Sequence, residues 1–299
     1  RCSGMYLGKP TFGEKVFNVI NYTLLAFLTI TFIVPFLNVI ATSFISEKEL
    51  IERGFVLIPR DFDLTSYKLF LRKGSVLVDA YKVTVLRVVL GSVINLFVTA
   101  MFAYPMAKKD LPGRNFFITM VFITMLIGGG LIPTYMVVKS LNLINSFWAL
   151  IIPSMMSVWN MLILRNFFYT IPPSLEESAF IDGATPFIVL TRIILPLSLP
   201  SLATIGLFYA VGHWNAWFDA VIYINEPEKY PVQVILRNFV LNMTAYELEL
   251  EESTGLGAKP PSVTIRSTVI VISTLPILFI YPFVQKYFVK GIMVGSVKG

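Results

Sequence analysis

The chain has 299 residues, 56% of them hydrophobic and only 14% charged, with a formal net charge of +6. Soluble domains carry roughly a quarter charged residues, so this composition excludes an ordinary soluble enzyme and points to the lipid bilayer. The positive balance does not indicate nucleic acid, because no dense basic patch accompanies aromatic residues in a soluble stretch; cationic ends of membrane helices account for it.

Cysteine and histidine are too few for metal or disulfide chemistry. Cys2 is the single cysteine and His213 the single histidine, which leaves neither an intramolecular disulfide nor a cysteine or multi-histidine metal cluster within these residues.

Taken in order, residues 1–20 form a basic N-terminal segment with a short amphipathic helix expected from Gly13. Six apolar runs follow, most of them beyond the about 18 residues that mark a membrane-spanning helix. They cover residues 21–42, 76–105, 116–138, 147–168, 197–224 and 268–288, within a transmembrane region of 21–289. The first run has no processing site after it and is expected to stay as a span. The second is longer than the bilayer needs and must tilt or protrude. Residues 290–299 form a C-terminal tail.

Pro35, Pro133, Pro153 and Pro276 fall within or near spans, where neighbouring helices can cover the broken backbone bonds. Gly128-Gly129-Gly130 lacks the lysine of a GxxxxGKS/T phosphate loop and predicts close packing or backbone bending. No other nucleotide loop and no displayed nucleophile is present, so this chain is expected to hold no cofactor.

An even span number places both termini on one side. A bulk count of basic residues does not decide the side. The short turn after the second span, however, carries Lys108, Lys109 and Arg114, and Lys286, Lys290 and Lys298 follow the sixth, which favours termini inside. Two outer excursions then remain. Residues 43–75 open on Ser46-Glu47-Lys48-Glu49, a local cap-and-acid pattern. Residues 225–263 hold a possible helix from Val232 to Val240, the acidic Glu247, Glu249, Glu251 and Glu252, and a Gly/Pro-rich return at 255–261.

Residues 171–200 are the partly polar interval between the fourth and fifth spans. Ser174 with Glu177 three residues on reads as a capping box, so a helix is expected after Pro172-Pro173 and over 175–182. Gly183 offers a left-handed helix end, and Thr185-Pro186 an N-cap with proline at the first helical position. The second helix would carry Phe187, Leu190, Ile193 and Ile194 on an apolar face until Pro196.

Glu177-Ser178-Ala179, Asp182-Gly183-Ala184 and Ile193-Ile194-Leu195-Pro196 together resemble the cytoplasmic "EAA" signature of bacterial ATP-binding-cassette importer permeases. The pattern has Glu-Ala-Ala, Asp-Gly-Ala and a terminal Leu-Pro at this spacing, and Ser178 replaces an alanine. Gln285 to Gly291 and the closing Gly295 to Gly299 look like the end of the second permease subunit of oligosaccharide importers, the class that includes the maltose transporter. The similarity covers nearly the whole chain after about Phe17, and extends to permeases for acidic polysaccharide fragments such as alginate oligosaccharides.

The resemblance implies an all-α polytopic membrane protein with six transmembrane helices and a coupling-helix loop at 171–200. It implies a companion permease, two cytoplasmic ATPase subunits carrying ATP and magnesium, an extracytoplasmic solute-binding protein meeting the outer excursions, and an oligosaccharide cargo. Glu177, Ser178, Ala179, Asp182, Gly183, Ala184 and Pro196 would form the ATPase contact. An ion-gradient transporter needs paired ionisable residues or inverted repeats, and a non-transport scaffold leaves the two-helix loop unexplained.

Polar residues cluster in the fifth run: His213, Trp214, Asn215, Trp217 and Asp219. An indole can cover an apolar sugar face while amides and carboxylates meet hydroxyls, so these are candidates for the substrate path. The competing reading is helix cross-linking and an interfacial aromatic belt. On one continuous helix His213 and Trp217 would share a face, and Asn215 and Asp219 another. Asn95 and Asn160 are expected as interhelical glue. Arg87 and Lys82 could attract a negatively charged uronate or simply snorkel toward headgroups.

Overall fold

The computed structural model describes residues 11–72, 74–241 and 263–279. The acidic residues after Asn242, the end of the sixth predicted span and the C-terminal tail lie outside the described residues. In chain order the first helices are α1 (Phe12–Thr42), α2 (Glu47–Arg53), α3 (Thr65–Phe70), α4 (Val76–Ala107), α5 (Arg114–Leu126) and α6 (Leu131–Ser140). Two 3-10 turns at Phe147–Leu150 and Ile152–Ser154 lead into α7 (Val158–Phe168), α8 (Pro173–Ile181) and α9 (Pro186–Val189). A π turn at Leu190–Ile194 then joins α10 (Leu195–Leu197), followed by α11 (Leu199–Asn215), α12 (Phe218–Tyr223), α13 (Val232–Leu241) and α14 (Val263–Phe279). Among the described residues the only β pairing is an isolated antiparallel bridge between Ile45 and Phe62.

Among the described residues two helices are long and apolar enough to cross a membrane, α1 and α4, and five spans result if each bent pair counts as one. The sixth predicted span begins inside α14 and runs beyond the described residues. The expected separate helix at Gly13 does not form. Thr11 accepts the Glu14 amide at 3.4 Å and donates its own amide to Glu14 Oε2 at 2.7 Å, so a reciprocal capping box starts one unbroken helix of 31 residues.

The chain divides into two units, each described by itself. One comprises residues 1–69 and 243–272. Within it Ser46 caps α2, and the Glu49 carboxylate accepts the Arg60 amide at 3.1 Å, the Asp61 amide at 3.2 Å and Arg53 at 2.5 Å. One buried carboxylate thus folds the segment after α1 over Ala41, Ile45 and Val56.

The other unit comprises residues 70–242 and 273–299, and α4 is its axis. Small residues Ala100 and Ala103 let α4 approach its neighbours, and with Tyr104 and Met106 they join Val121, Met161, Leu164, Phe168, Ile194, Leu202 and Ile205 in the main core. Four helical segments therefore meet along the second half of α4.

Three predicted straight spans are bent, which corrects the sequence reading. The third breaks between α5 and α6 by 111°. Gly128 and Gly129 have no atom within 4 Å of a notional Cβ, while Gly130 has φ +82°, so the glycines serve bending rather than close packing. The fourth bends by 55° between the 3-10 turns and α7, where Pro153 limits regular helix. The fifth starts at an 88° bend near Ser198 and is interrupted again at Ala216-Trp217, between α11 and α12.

Candidate functional site

The polar loop is the helix–glycine–helix element that its sequence suggests, with one change of phase. α8 begins at Pro173 with Pro172 as its N-cap and no side-chain cap. Two consecutive prolines hold φ near the helical value and lack amides that an N-terminus would leave orphaned. Ser174 is therefore inside the helix, where its carbonyl accepts the Ser178 hydroxyl at 2.8 Å. The expected Ser174–Glu177 capping box does not form, and α8 starts two residues earlier than a 175–182 helix.

Its end matches expectation. Asp182 is the C-cap and Gly183 has φ +81°. The Gly183 amide reaches the Phe180 carbonyl at 3.0 Å, and the Ala184 amide the Ala179 carbonyl at 2.9 Å, the paired bonds of a Schellman end. Thr185 then accepts the Ile188 amide at 3.4 Å and Pro186 opens α9. The second helix continues through Pro196. A proline cannot donate to the carbonyl four residues back, and the chain accommodates this with the π turn, in which Leu195 bonds to Leu190.

Glu177 is exposed, and Ile181, one turn on, is 86% exposed. Leu175 and Phe180 are partly exposed, at 43% and 44%. Ser178, Asp182, Gly183 and Pro196 are exposed, whereas Ala179 and Ala184 are half-buried against the core. The loop therefore turns Ala179 and Ala184 toward the core and leaves Glu177 exposed one turn from Ile181.

The neighbouring Glu176 behaves differently. It is 8% exposed and takes a hydrogen bond from the Tyr104 hydroxyl at 2.8 Å and an ion pair from Lys108, at the end of α4. The Lys108 ammonium also lies 4.4 Å above the Tyr104 ring. Nearby, the Met106 carbonyl accepts Arg165 at 3.0 Å, Arg114 at 3.3 Å and the Tyr169 hydroxyl at 3.4 Å. Cations there complement the negative end of the α4 dipole. Sequence reasoning missed Glu176 because the capping-box reading assigned the capping task to Glu177 and set the wrong helical phase. The available signal was Tyr104 four residues before Lys108, an i,i+4 pair at a span end.

The second candidate cluster is split by the break at Ala216. His213, Trp214 and Asn215 close α11, Trp217 precedes α12, and Asp219 lies in its first turn. The face-sharing expected on one continuous helix is therefore lost. His213 is buried, its Nε2 3.1 Å from Asn95 Nδ2, and Asn95 also donates to the Ser154 carbonyl at 3.2 Å. The ring lies over Gly91: a Cβ there would sit 2.5 Å from Nε2. Asn95 is thus interhelical glue as expected, and Asn160 is buried.

Trp214 is buried and packs edge-to-face with Tyr81, their ring centres 6.1 Å apart. Asp219 pairs with Arg87, whose side chain is 1% exposed against 27% for the aspartate. Arg87 is therefore committed to a protein carboxylate, and Lys82 pairs with Asp79 at 2.6 Å. Asn215 stays exposed, and Trp217 is 37% exposed. Arg237 of α13 lies 4.8 Å from the Trp217 ring centre, a neighbour that sequence distance concealed.

Bent apolar helices with a polar helix–glycine–helix loop between two of them are the makeup of a polytopic membrane protein. The chain is 42% identical over 286 residues to the polygalacturonan/rhamnogalacturonan transport system permease protein of Bacillus subtilis (strain 168), covering 96% of this chain and 99% of that protein. It is 45% identical to protein LplC of the same organism over 95% of this chain and 96% of that one. No family model matches the chain. Its structure superposes with TM-score 0.85 and 28% identity on the crystal structure of a bacterial ABC transporter involved in the import of the acidic polysaccharide alginate, covering 94% of this chain and 99% of that one.

The chain belongs to the sugar-importer permeases of the ATP-binding-cassette family. It is an integral membrane protein and a transport component, which removes the ion-gradient transporter and the scaffold from consideration.

Proposed function

We propose that this permease forms half of the translocation path for an acidic oligosaccharide and that α8 is the helix on which a cytoplasmic ATPase docks. The observation that carries the docking role is the outward face of α8, where exposed Glu177 lies one turn from the 86% exposed Ile181 on a helix whose end is fixed by the Schellman turn at Gly183. Large exposed apolar groups around one charge have the makeup of a protein interface. Energy enters through ATP and magnesium on the ATPase subunits; this chain transmits it.

The assembly is a heterodimer with a second permease, two ATPase subunits and an extracytoplasmic solute-binding protein that meets the outer excursions. Both termini face the cytoplasm, and the complex resides in the inner membrane. An acidic cargo is supported by the polygalacturonan/rhamnogalacturonan relative and the alginate importer. Within this chain Trp217 and Arg237 suit a uronate: the indole can cover an apolar sugar face and the guanidinium can grip a carboxylate. Asn215 and Asp219 complete the proposed path, and buried His213 and Trp214 hold it in shape.

The test is a subunit inventory of the native complex, with uptake of galacturonate and alginate oligosaccharides into vesicles. The expected result is copurification of a second permease and an ATPase, with hydrolysis of ATP by the complex and none by the isolated chain. Robust hydrolysis by the isolated chain would overturn the division of labour. Arg237→Gln and Trp217→Ala should slow uptake of acidic oligomers without loss of assembly; unchanged uptake in both would remove them from the path.

A further inference from the structure

α8 carries a second carboxylate whose setting is unlike that of Glu177. Glu176 points away from the proposed docking face into contact with the last turn of α4, where Tyr104 and Lys108 both donate to its Oε2. A glutamate in the first turn of a helix needs no such explanation when it faces water, since the helix dipole suffices. Glu176 and Tyr104, at 8% and 7% exposed, do not face water, and a buried carboxylate is tolerated only when its partners are held in place.

Apolar packing of α8 adds less: Ile181 is 86% exposed, Leu175 and Phe180 keep 43% and 44% of their surface exposed, and Ala179 offers the core a single methyl group. α4 is in turn tied to the rest of its unit by polar contacts farther along. Thr99 shares a 2.6 Å hydrogen bond with Tyr209 of α11, Asn95 bonds to His213, and Arg87 pairs with Asp219 of α12.

We infer that Glu176, Tyr104 and Lys108 form an ionic clasp that makes α8 and α4 move as one body, so that displacement of the docked α8 is delivered to the intramembrane helices through α4. The inference rests on α8 being the ATPase-docking helix. The three residues are positioning residues; their task is to convert docking into movement. The clasp separates two functions between adjacent glutamates, Glu177 facing the partner and Glu176 facing the bundle.

The experiment uses the assembled complex with Cys2→Ser, Ser174→Cys and Met101→Cys, spin-labelled on α8 and α4, whose native side chains are exposed at both positions. The distance distribution is recorded without nucleotide and after trapping with ATP and vanadate. An intact clasp gives one narrow distribution that is the same in both states. Adding Glu176→Gln or Lys108→Ala broadens it or makes it respond to nucleotide, while the ATPase still copurifies. Uptake per ATP of whichever oligosaccharide the unaltered complex transports falls about fivefold or more, the low end of common coupling effects.

Lys108→Arg, and the exchange of Glu176→Lys with Lys108→Glu, restore the narrow distribution. Identical distributions with and without the clasp would overturn the inference, as would loss of ATPase docking in the Glu176 variant. Failure of the unaltered chain to retain an ATPase would instead reject the docking reading. In that case the labelled permease pair still decides whether the clasp holds α8.

Discussion

The two ends of α4 hold their charges in opposite ways. Near its start the cation is the buried member: Arg87 is 1% exposed and its partner Asp219 27%. Past its end the anion is the buried member: Glu176 is 10% exposed at its side chain and Lys108 35%. The first pair joins two helices of the bundle and leaves the acid partly exposed. The second joins the bundle to a loop helix and leaves the cation near water. In each case the buried charge is the one that positions structure, and its partner is the accessible one.

That contrast predicts unequal consequences. Asp219→Ala leaves a fully buried guanidinium without its carboxylate, and truncation of one partner of a buried pair costs about 3–5 kcal/mol. The expected outcome is a large loss of folded, membrane-inserted protein, measured by detergent-extracted yield and thermal melting. Arg87→Leu combined with Asp219→Leu should recover most of that loss, since neither charge is stranded. Equal behaviour of single and double variants would break the comparison. Lys108→Ala should cost less yield, because the Tyr104 hydroxyl still donates to Glu176 once the lysine, the 35% exposed member of the pair, is gone.

Gly91→Ala comes next. The added methyl meets the His213 ring at 2.5 Å, and overpacking of this kind typically costs about 1–3 kcal/mol. It should lower the melting temperature, and His213→Ala in the same chain should restore part of it. Gly183→Val follows, at the inner end. A β-branched residue at φ +81° strains the Schellman turn by about 1–2 kcal/mol. It should impair ATPase docking more than membrane insertion, as read by copurification normalised to inserted protein.

A carboxylate in the unit that holds α1 and α2 gives the smallest effect. Burial raises the pKa of Glu49, but the Asp61 and Arg60 amides and Arg53 outweigh it and leave the group below its ordinary value. A depressed folded pKa contributes stability above the unfolded value, about 4.3, and that stability disappears as pH falls through the folded one. Proteolysis within residues 47–61 should therefore increase at acid pH. Glu49→Gln should show the increased cleavage already at neutral pH and lose the pH dependence.

What could be read from the sequence follows from which physical signals are local. Apolar run length located α1 and α4, and the glycine, threonine and proline of 183–186 located the turn inside the polar loop, because each acts on its own backbone. The breaks after Asn215 and before Val158 were hidden, since hydropathy is unchanged across a bend. Glu176 and Glu177 are chemically identical neighbours, and only the true start of α8 at Pro173 determines which one faces the bundle. The pairing of Arg87 with Asp219 and of Trp217 with Arg237 depends on tertiary packing that no window of residues contains.

The central claim is that α8 meets an ATPase through the face opposite its clasp. The most direct measurement places a photo-cross-linking residue at Ile181, which is 86% exposed, in the native membrane complex, with Trp159, 60% exposed on α7, as the control position. The account predicts that Ile181 captures a cytoplasmic ATPase subunit, that Glu177→Gln weakens the capture, and that Trp159 does not yield it. Absence of ATPase from the Ile181 cross-links in an assembled, actively transporting complex would contradict it.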